Sequence, residues 1–181
     1  MSKKVLLIIA SKGYQPIEFN EPCKLLQENG FKVFTASDKS GQAVASDGST
    51  TVVNFTLDEV KPEDFDAVFV IGGPGAMKHL DNPKTHKIVQ AINKDMYKLF
   101  GAICIAPRIL ANAGVLDFRN VTGWDGDNKL SEILEKAGAT YIHSGVVVDN
   151  NLITATGPEA AKDFAQAIVK ELKHPQIEPS A

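Results

Sequence analysis

Little in this chain points toward a disulfide framework, a polyanion or a bilayer. Only two of its 181 residues are cysteine, Cys23 and Cys104, and they lie far apart, so a reducing cytoplasm is the expected setting. Charge of one sign is scarce too. A formal net charge of −3 without a basic stretch offers no footprint for nucleic acid or an anionic membrane surface. No apolar run approaches the roughly 20 residues that span a bilayer. The opening run from Val5 to Ala10 is brief and leads into Ser11-Lys12-Gly13 without a cleavage site, so it reads as a buried strand, not a signal peptide. Four histidines, His79, His86, His143 and His174, form no i, i+4 pair and no Cys/His cluster, which argues against a metal site. Internal repeats and low-complexity segments are absent. The expected partners are therefore small molecules or proteins, with no nucleic acid, no membrane, no cofactor and no metal.

What the chain does have is alternation. Runs rich in Val, Ile and Phe recur at Val5 to Ala10, Lys32 to Ala36, Ala67 to Ile71 and Ala102 to Cys104. Between them lie stretches with helical spacing, Ile17 to Asn29 and Lys84 to Leu99, the second presenting Ile88, Val89, Ile92, Met96 and Leu99 on one face. This is the pattern of an α/β fold with a mostly parallel sheet and helices on both faces. Asp38 to Val60 departs from it, with Gly41, Asp47-Gly48 and Thr50 to Asn54 predicting a hairpin excursion beside the sheet. Later segments predict a helix near Lys129 to Lys136, a hairpin of Val146 to Val148 with Leu152 to Thr154, and a final helix from Pro158 to Leu172. Residues 1–173 are expected to form one domain and 174–181 a tail.

In an open parallel sheet, ligands sit beyond the carboxyl ends of the strands. Three such ends carry chemistry. The first strand is followed by Ser11 to Glu18, which supplies one carboxylate, Glu18. The third is followed by Gly72-Gly73-Pro74-Gly75, a turn whose N–H groups can face an anion. That turn lacks the Lys-Ser/Thr pair of a phosphate loop and the glycine spacing of a dinucleotide site. The fourth ends at Cys104, just before a helix-like stretch that has Pro107 near its start and Gly114 at its end. A sulfur near a helix N-terminus is expected to have a lowered pKa and to be a nucleophilic thiolate. Cysteine, N–H-bearing turn and acid together suit addition to a carbonyl or acyl carbon. Each also has a plainer reading: buried cysteines pack, first-turn acids complement the helix dipole, and glycines make tight turns. Cys23, at helical spacing with Leu26, is read as core. Trp124, between Gly123 and Asp125-Gly126-Asp127, can pack or can wall the pocket, and His79 lies close enough to the glycine turn to assist.

The stretch Ala102 to Leu116, centred on Cys104, resembles the nucleophile elbow of the ThiJ/PfpI superfamily. Val70-Ile71-Gly72-Gly73-Pro74-Gly75 resembles that family's oxyanion-side turn. Glu18 falls where the family keeps its acid, and Ala155-Thr156-Gly157-Pro158 followed by Phe164-Ala165 resembles its C-terminal segment. The resemblance implies a flavodoxin-like three-layer sandwich, a homodimer, and a cysteine thiolate hydrogen-bonded by a protonated glutamic acid. It implies Cys104 and Glu18 as catalytic residues, backbone donors at Gly72, Gly73 and Ile105, and a pocket bounded by Trp124, Asp125 and Pro158. Members include intracellular proteases, glyoxalase III enzymes, deglycases, isocyanide hydratases, chaperones and oxidative-stress sensors.

Two departures narrow the choice. Protease-like members place a histidine directly after the cysteine, where this chain has Ile105. Others supply one from the strand after the elbow helix, where this chain has Trp124. Ile105 cannot accept a proton and an indole only donates one. Peptide hydrolysis, which must protonate a poor amine leaving group, therefore ranks last. The expectation is cysteine-dependent chemistry on a small reactive carbonyl compound, of glyoxalase III or deglycase type. The alternative is a non-enzymatic sensor or chaperone that uses an oxidisable Cys104.

Overall fold

The computed structural model describes residues 2–174. Its elements in chain order are β1 (Lys4–Ile8), β2 (Lys12–Tyr14), α1 (Pro16–Glu28), β3 (Lys32–Ser37), β4 (Gly41–Ala45), β5 (Thr50–Val53) and β6 (Phe55–Thr56). They continue with β7 (Ala67–Val70), α2 (Ala76–Leu80), α3 (Pro83–Asn93), β8 (Leu99–Ile103), α4 (Pro107–Asn112), β9 (Asn120–Val121) and α5 (Leu130–Lys136). The last are β10 (Thr140–Tyr141), β11 (Val146–Asp149), β12 (Leu152–Ala155) and α6 (Ala161–Lys173). Seven strands form one sheet in the order β11-β12-β8-β7-β1-β3-β6. Every neighbour pair in it is parallel except the β11–β12 hairpin. Helices α1 and α6 pack on each other over one face, and α3, α4 and α5 cluster over the other. This is the mostly parallel α/β sheet that the alternation predicts, and the flavodoxin-like sandwich that the family resemblance implies.

Burial explains the lack of polar alternation in the central strands. Val5 to Ile8, Ala67 to Val70 and Leu99 to Ile103 are inaccessible or nearly so, because helices cover both sides of the sheet. The predicted excursion is present as the β4–β5 hairpin, which joins β2 in a separate three-stranded sheet. The hairpin before the last helix is also present, with Asn150 in the left-handed region at its turn.

One helix differs from its predicted length. The stretch Lys84 to Leu99 is helical only to Asn93, after which Asp95 accepts the Tyr97 N–H and folds the chain into a turn. Met96 is exposed, and Leu99 is buried because it opens β8. Its spacing matched a helix by coincidence, and a side-chain-capped turn decided the outcome. The final helix begins at Ala161, after a single 3₁₀ turn at Pro158–Ala160. Beyond His174, the predicted tail lies outside the described residues. Among the described residues no helix is long and apolar enough to cross a membrane.

The strand that leads into Cys104 is fixed by a close backbone approach. A Cβ on Gly101 would lie 1.7 Å from the Ile153 carbonyl oxygen of β12, so no side chain fits there without parting the two strands. Gly101→Ala is expected to cost about 3 kcal/mol, the upper part of the range for overpacking a core. Equilibrium urea unfolding of the variant against the parent measures it.

Candidate functional site

The site forms where β1, β7 and β8 end side by side in the sheet. After β8 the chain turns within three residues into α4, and Cys104 takes the turn with φ of 64°, a left-handed conformation that side chains disfavour. The Cys104 N–H donates to the Ala155 carbonyl and its own carbonyl accepts the Trp124 N–H at 2.7 Å. The strained turn is thus clamped by backbone on both sides, and the sulfur is left half-buried. Pro107 opens α4 and Gly114, with φ of 71°, follows its end, as the sequence predicts.

Glu18 arrives from the first turn of α1, a helix capped by the Gln15 side chain, which accepts the Ile17 N–H. Its side chain is fully buried. Oε2 accepts the Gly72 N–H at 3.0 Å, while Oε1 has no nitrogen or oxygen partner. The Cys104 thiol is its other contact. Both groups press on Gly72, where a Cβ would sit 2.6 Å from Cys104 Cβ and 2.7 Å from Glu18 Oε2. Gly72 therefore holds the acid through its N–H and is not free to serve an oxyanion, which corrects that expectation. Gly73 and Ile105 do turn their N–H groups to the Cys104 sulfur.

Electrostatics also corrects the expectation of a lowered cysteine pKa. Burial, then the charge of Glu18, push the Cys104 thiol well above its usual range, and the N–H groups of Ile105 and Gly73 oppose this only in part. A helix of six residues has a weak dipole, and a carboxyl group against the sulfur outweighs it. Burial pushes Glu18 up to about 7, moderated by its hydrogen bonds from Cys104 and Gly72. The two groups titrate as a unit. The pair gives up one proton near neutrality and strongly resists losing the second.

The sulfur opens on a cavity of about 450 Å³ whose lining includes Glu18, Gly73, Cys104, Ile105, Trp124 and Pro158. The predicted wall residues Trp124 and Pro158 are thus in place. Asp125 is not among the lining residues, because its carboxylate turns to accept the Leu130 N–H at the start of α5. His79 is likewise diverted, with Nδ1 3.0 Å from Asp38. No histidine lines the cavity among the described residues. Cys23 is half-buried on α1, packed against the core.

Sequence reading missed Gln15 and Met77 in the lining, and it missed Arg108. The Arg108 guanidinium forms a bidentate pair with Asp127 at 2.6 and 3.0 Å and lies 5.4 Å from the centre of the Trp124 ring. This hydrogen-bonded pairing pulls Asp127 down to about 2. An arginine one residue into the elbow helix, with acids some twenty positions on, was the available signal.

A cysteine at a strained strand-to-helix elbow, touched by a carboxyl group from the first turn of α1, places the molecule among the elbow-bearing α/β proteins. The pattern of the DJ-1/PfpI family matches residues 3–171, and the chain belongs to that family. An uncharacterised protein of Methanocaldococcus jannaschii is 37% identical over 172 residues, spanning 94% of this chain and 82% of the relative. One from Staphylococcus aureus is 32% identical over 176 residues, 96% of this chain and all of the relative. The crystal structure of a ThiJ/PfpI domain protein from Brachyspira murdochii superposes with a TM-score of 0.88 at 29% identity, covering 95% of this chain and 97% of the other. Drosophila melanogaster DJ-1beta gives 0.85 at 29% identity, covering 95% and 91%.

The Glu18 carboxyl keeps its proton up to about pH 7 in the folded chain, against 4.5 for a free side chain. The folded state binds more protons between those values, so this contribution is complete below pH 4.5 and is lost as pH rises through 7. Glu18→Gln removes the dependence. Denaturant unfolding of both proteins across that window is expected to show the parent losing about 3 kcal/mol relative to the variant.

Proposed function

We propose that the protein is a cysteine-dependent enzyme acting on small, uncharged reactive carbonyl compounds such as α-oxoaldehydes. The observation that carries the reading is a titratable Glu18–Cys104 pair in the lining of a cavity that has, among the described residues, no basic side chain and no other acid. Such a lining favours a neutral carbonyl over an anionic acid. A carboxyl group that titrates near 7 is matched to proton transfer at neutral pH.

In the proposed reaction the sulfur attacks the aldehyde carbon of methylglyoxal while Glu18 takes the thiol proton. As the sulfur becomes a thioether, the N–H groups of Gly73 and Ile105 pass to the new oxygen, which takes the proton back from Glu18 to give a hemithioacetal and leaves Glu18 a carboxylate. Glu18 next removes the proton on the former aldehyde carbon and returns it to the neighbouring carbon through an enediol, giving a lactoyl thioester. Water cleaves the thioester, releasing lactate and the free thiol. The sum is methylglyoxal plus water to lactate, with no outside oxidant or reductant. The amine leaving group that would demand a histidine never arises, which suits Ile105 and Trp124 in the family's histidine positions.

The sensor alternative is weaker on one point. Oxidation by peroxide proceeds through a standing thiolate, and burial beside a carboxyl group works against one. Addition with Glu18 as base forms the anion only as the new bond forms.

Lactate formation from methylglyoxal is the test. Cys104→Ala is expected to abolish it, and Glu18→Gln to reduce kcat on the order of 10²- to 10⁴-fold. In the parent, kcat/KM is expected to rise with pH and level off above about 7, as the pair loses its first proton. Undiminished turnover by correctly folded Cys104→Ala rules the reading out.

A further inference from the structure

We propose that Arg108 and Asp127 are positioning residues that hold Trp124 as a fixed wall of the pocket, and that this wall makes Cys104 favour electrophiles carrying a flat apolar group. The proposal rests on the preceding reading in taking Cys104 as the reacting atom, and adds which compounds the pocket prefers.

Three features fix the indole. The Arg108 guanidinium lies over the ring at 5.4 Å from its centre, in cation–π range. Asp127 fixes that guanidinium by a two-pronged pair, the arrangement with the most defined geometry available to arginine. On the loop itself Gly126 leaves room for the ring, since a Cβ there would come within 2.5 Å of Trp124 Cζ2. The main chain is held too. The Trp124 N–H donates to the Cys104 carbonyl, and its carbonyl accepts from Arg108 Nη2 at 3.4 Å.

The arginine is poorly explained as a packing residue. Only 9% of it is accessible, and its Nε is buried without an acceptor, a cost that an aliphatic side chain would avoid. Its two ends instead meet the two groups that set the wall, Asp127 on the loop and the indole face. Trp124 is 39% exposed although it lines the cavity, so part of the ring stands open to solvent. Without the brace the ring is free to swing outward, and the cavity loses a flat apolar surface next to the sulfur. With it, an aromatic or branched substituent on an incoming electrophile meets a surface already in place, and little ordering cost remains.

Trp124 is the sole tryptophan of the chain, so its fluorescence reports the wall directly. The second readout is Cys104 alkylation by N-phenyliodoacetamide and by iodoacetamide, each rate scaled to that of glutathione and followed on the Cys104 peptide. The parent is expected to favour the phenyl reagent. In Asp127→Asn and Arg108→Lys, tryptophan emission is expected to shift to the red, acrylamide to quench it more steeply, and the phenyl preference to fall about fivefold. Gly126→Ala, which displaces the ring without touching the pair, is expected to lower the preference similarly. Asp127 sits on an exposed loop, so its variant keeps the test open if Arg108→Lys does not fold. Unchanged emission and quenching in Asp127→Asn overturn the positioning role, and a parent without phenyl preference overturns the selectivity. Alkylation requires no turnover, so a failure of the carbonyl reaction leaves both outcomes readable.

Discussion

The absence of a side chain at one residue, Gly72, permits everything else at the site. The carboxyl group of Glu18 and the Cβ of Cys104 both occupy space that a Cβ at Gly72 would claim. They come from segments far apart in sequence, one from the first turn of α1 and the other from the elbow after β8. The glycine also contributes a donor, since its N–H is the one conventional hydrogen bond to a carboxyl group otherwise sealed from water. A carboxylate so placed is costly to ionise, and a thiol pressed against it is costlier still. The proton they share is therefore a property of the convergence, not of either residue alone.

The described lining of the cavity holds no histidine. Where relatives are expected to supply an imidazole, Trp124 supplies an apolar face and a backbone donor to the Cys104 carbonyl. Among the described residues Glu18 is the one carboxyl group of the lining, and it lies against the sulfur. Such a site suits chemistry in which one proton shuttles between neighbouring atoms of a bound carbonyl. It is badly matched to a departing amine, which needs a proton supplied from a different direction.

Much of this was legible in the sequence, for identifiable reasons. Doubly covered strands are uniformly apolar, so Val5 to Ile8 and Ala67 to Val70 stood out, and their C-terminal ends located the site. Pro107 and Gly114 framed the elbow helix by backbone chemistry alone. Donor directions and competition between partners were hidden. Nothing in Gly72-Gly73 says that the first N–H is spent on Glu18 while the second turns to the sulfur. Asp125 and His79 were near the site in sequence but found other partners, a helix start and Asp38. The helix-dipole argument for Cys104 failed because burial, and then the charge of Glu18, raise the thiol pKa, and a six-residue helix offers little against them. Arg108 escaped notice because its role depends on a ring and a loop acid brought together only by folding.

The left-handed backbone of Cys104 has one more implication. At that φ any residue with a Cβ is strained by about 1–2 kcal/mol, and alanine or serine would bear the same penalty as cysteine. Only glycine would relieve it. A glycine there would gain that stability and lose the sulfur, so the fold bears a backbone penalty at the one position where a thiol meets Glu18.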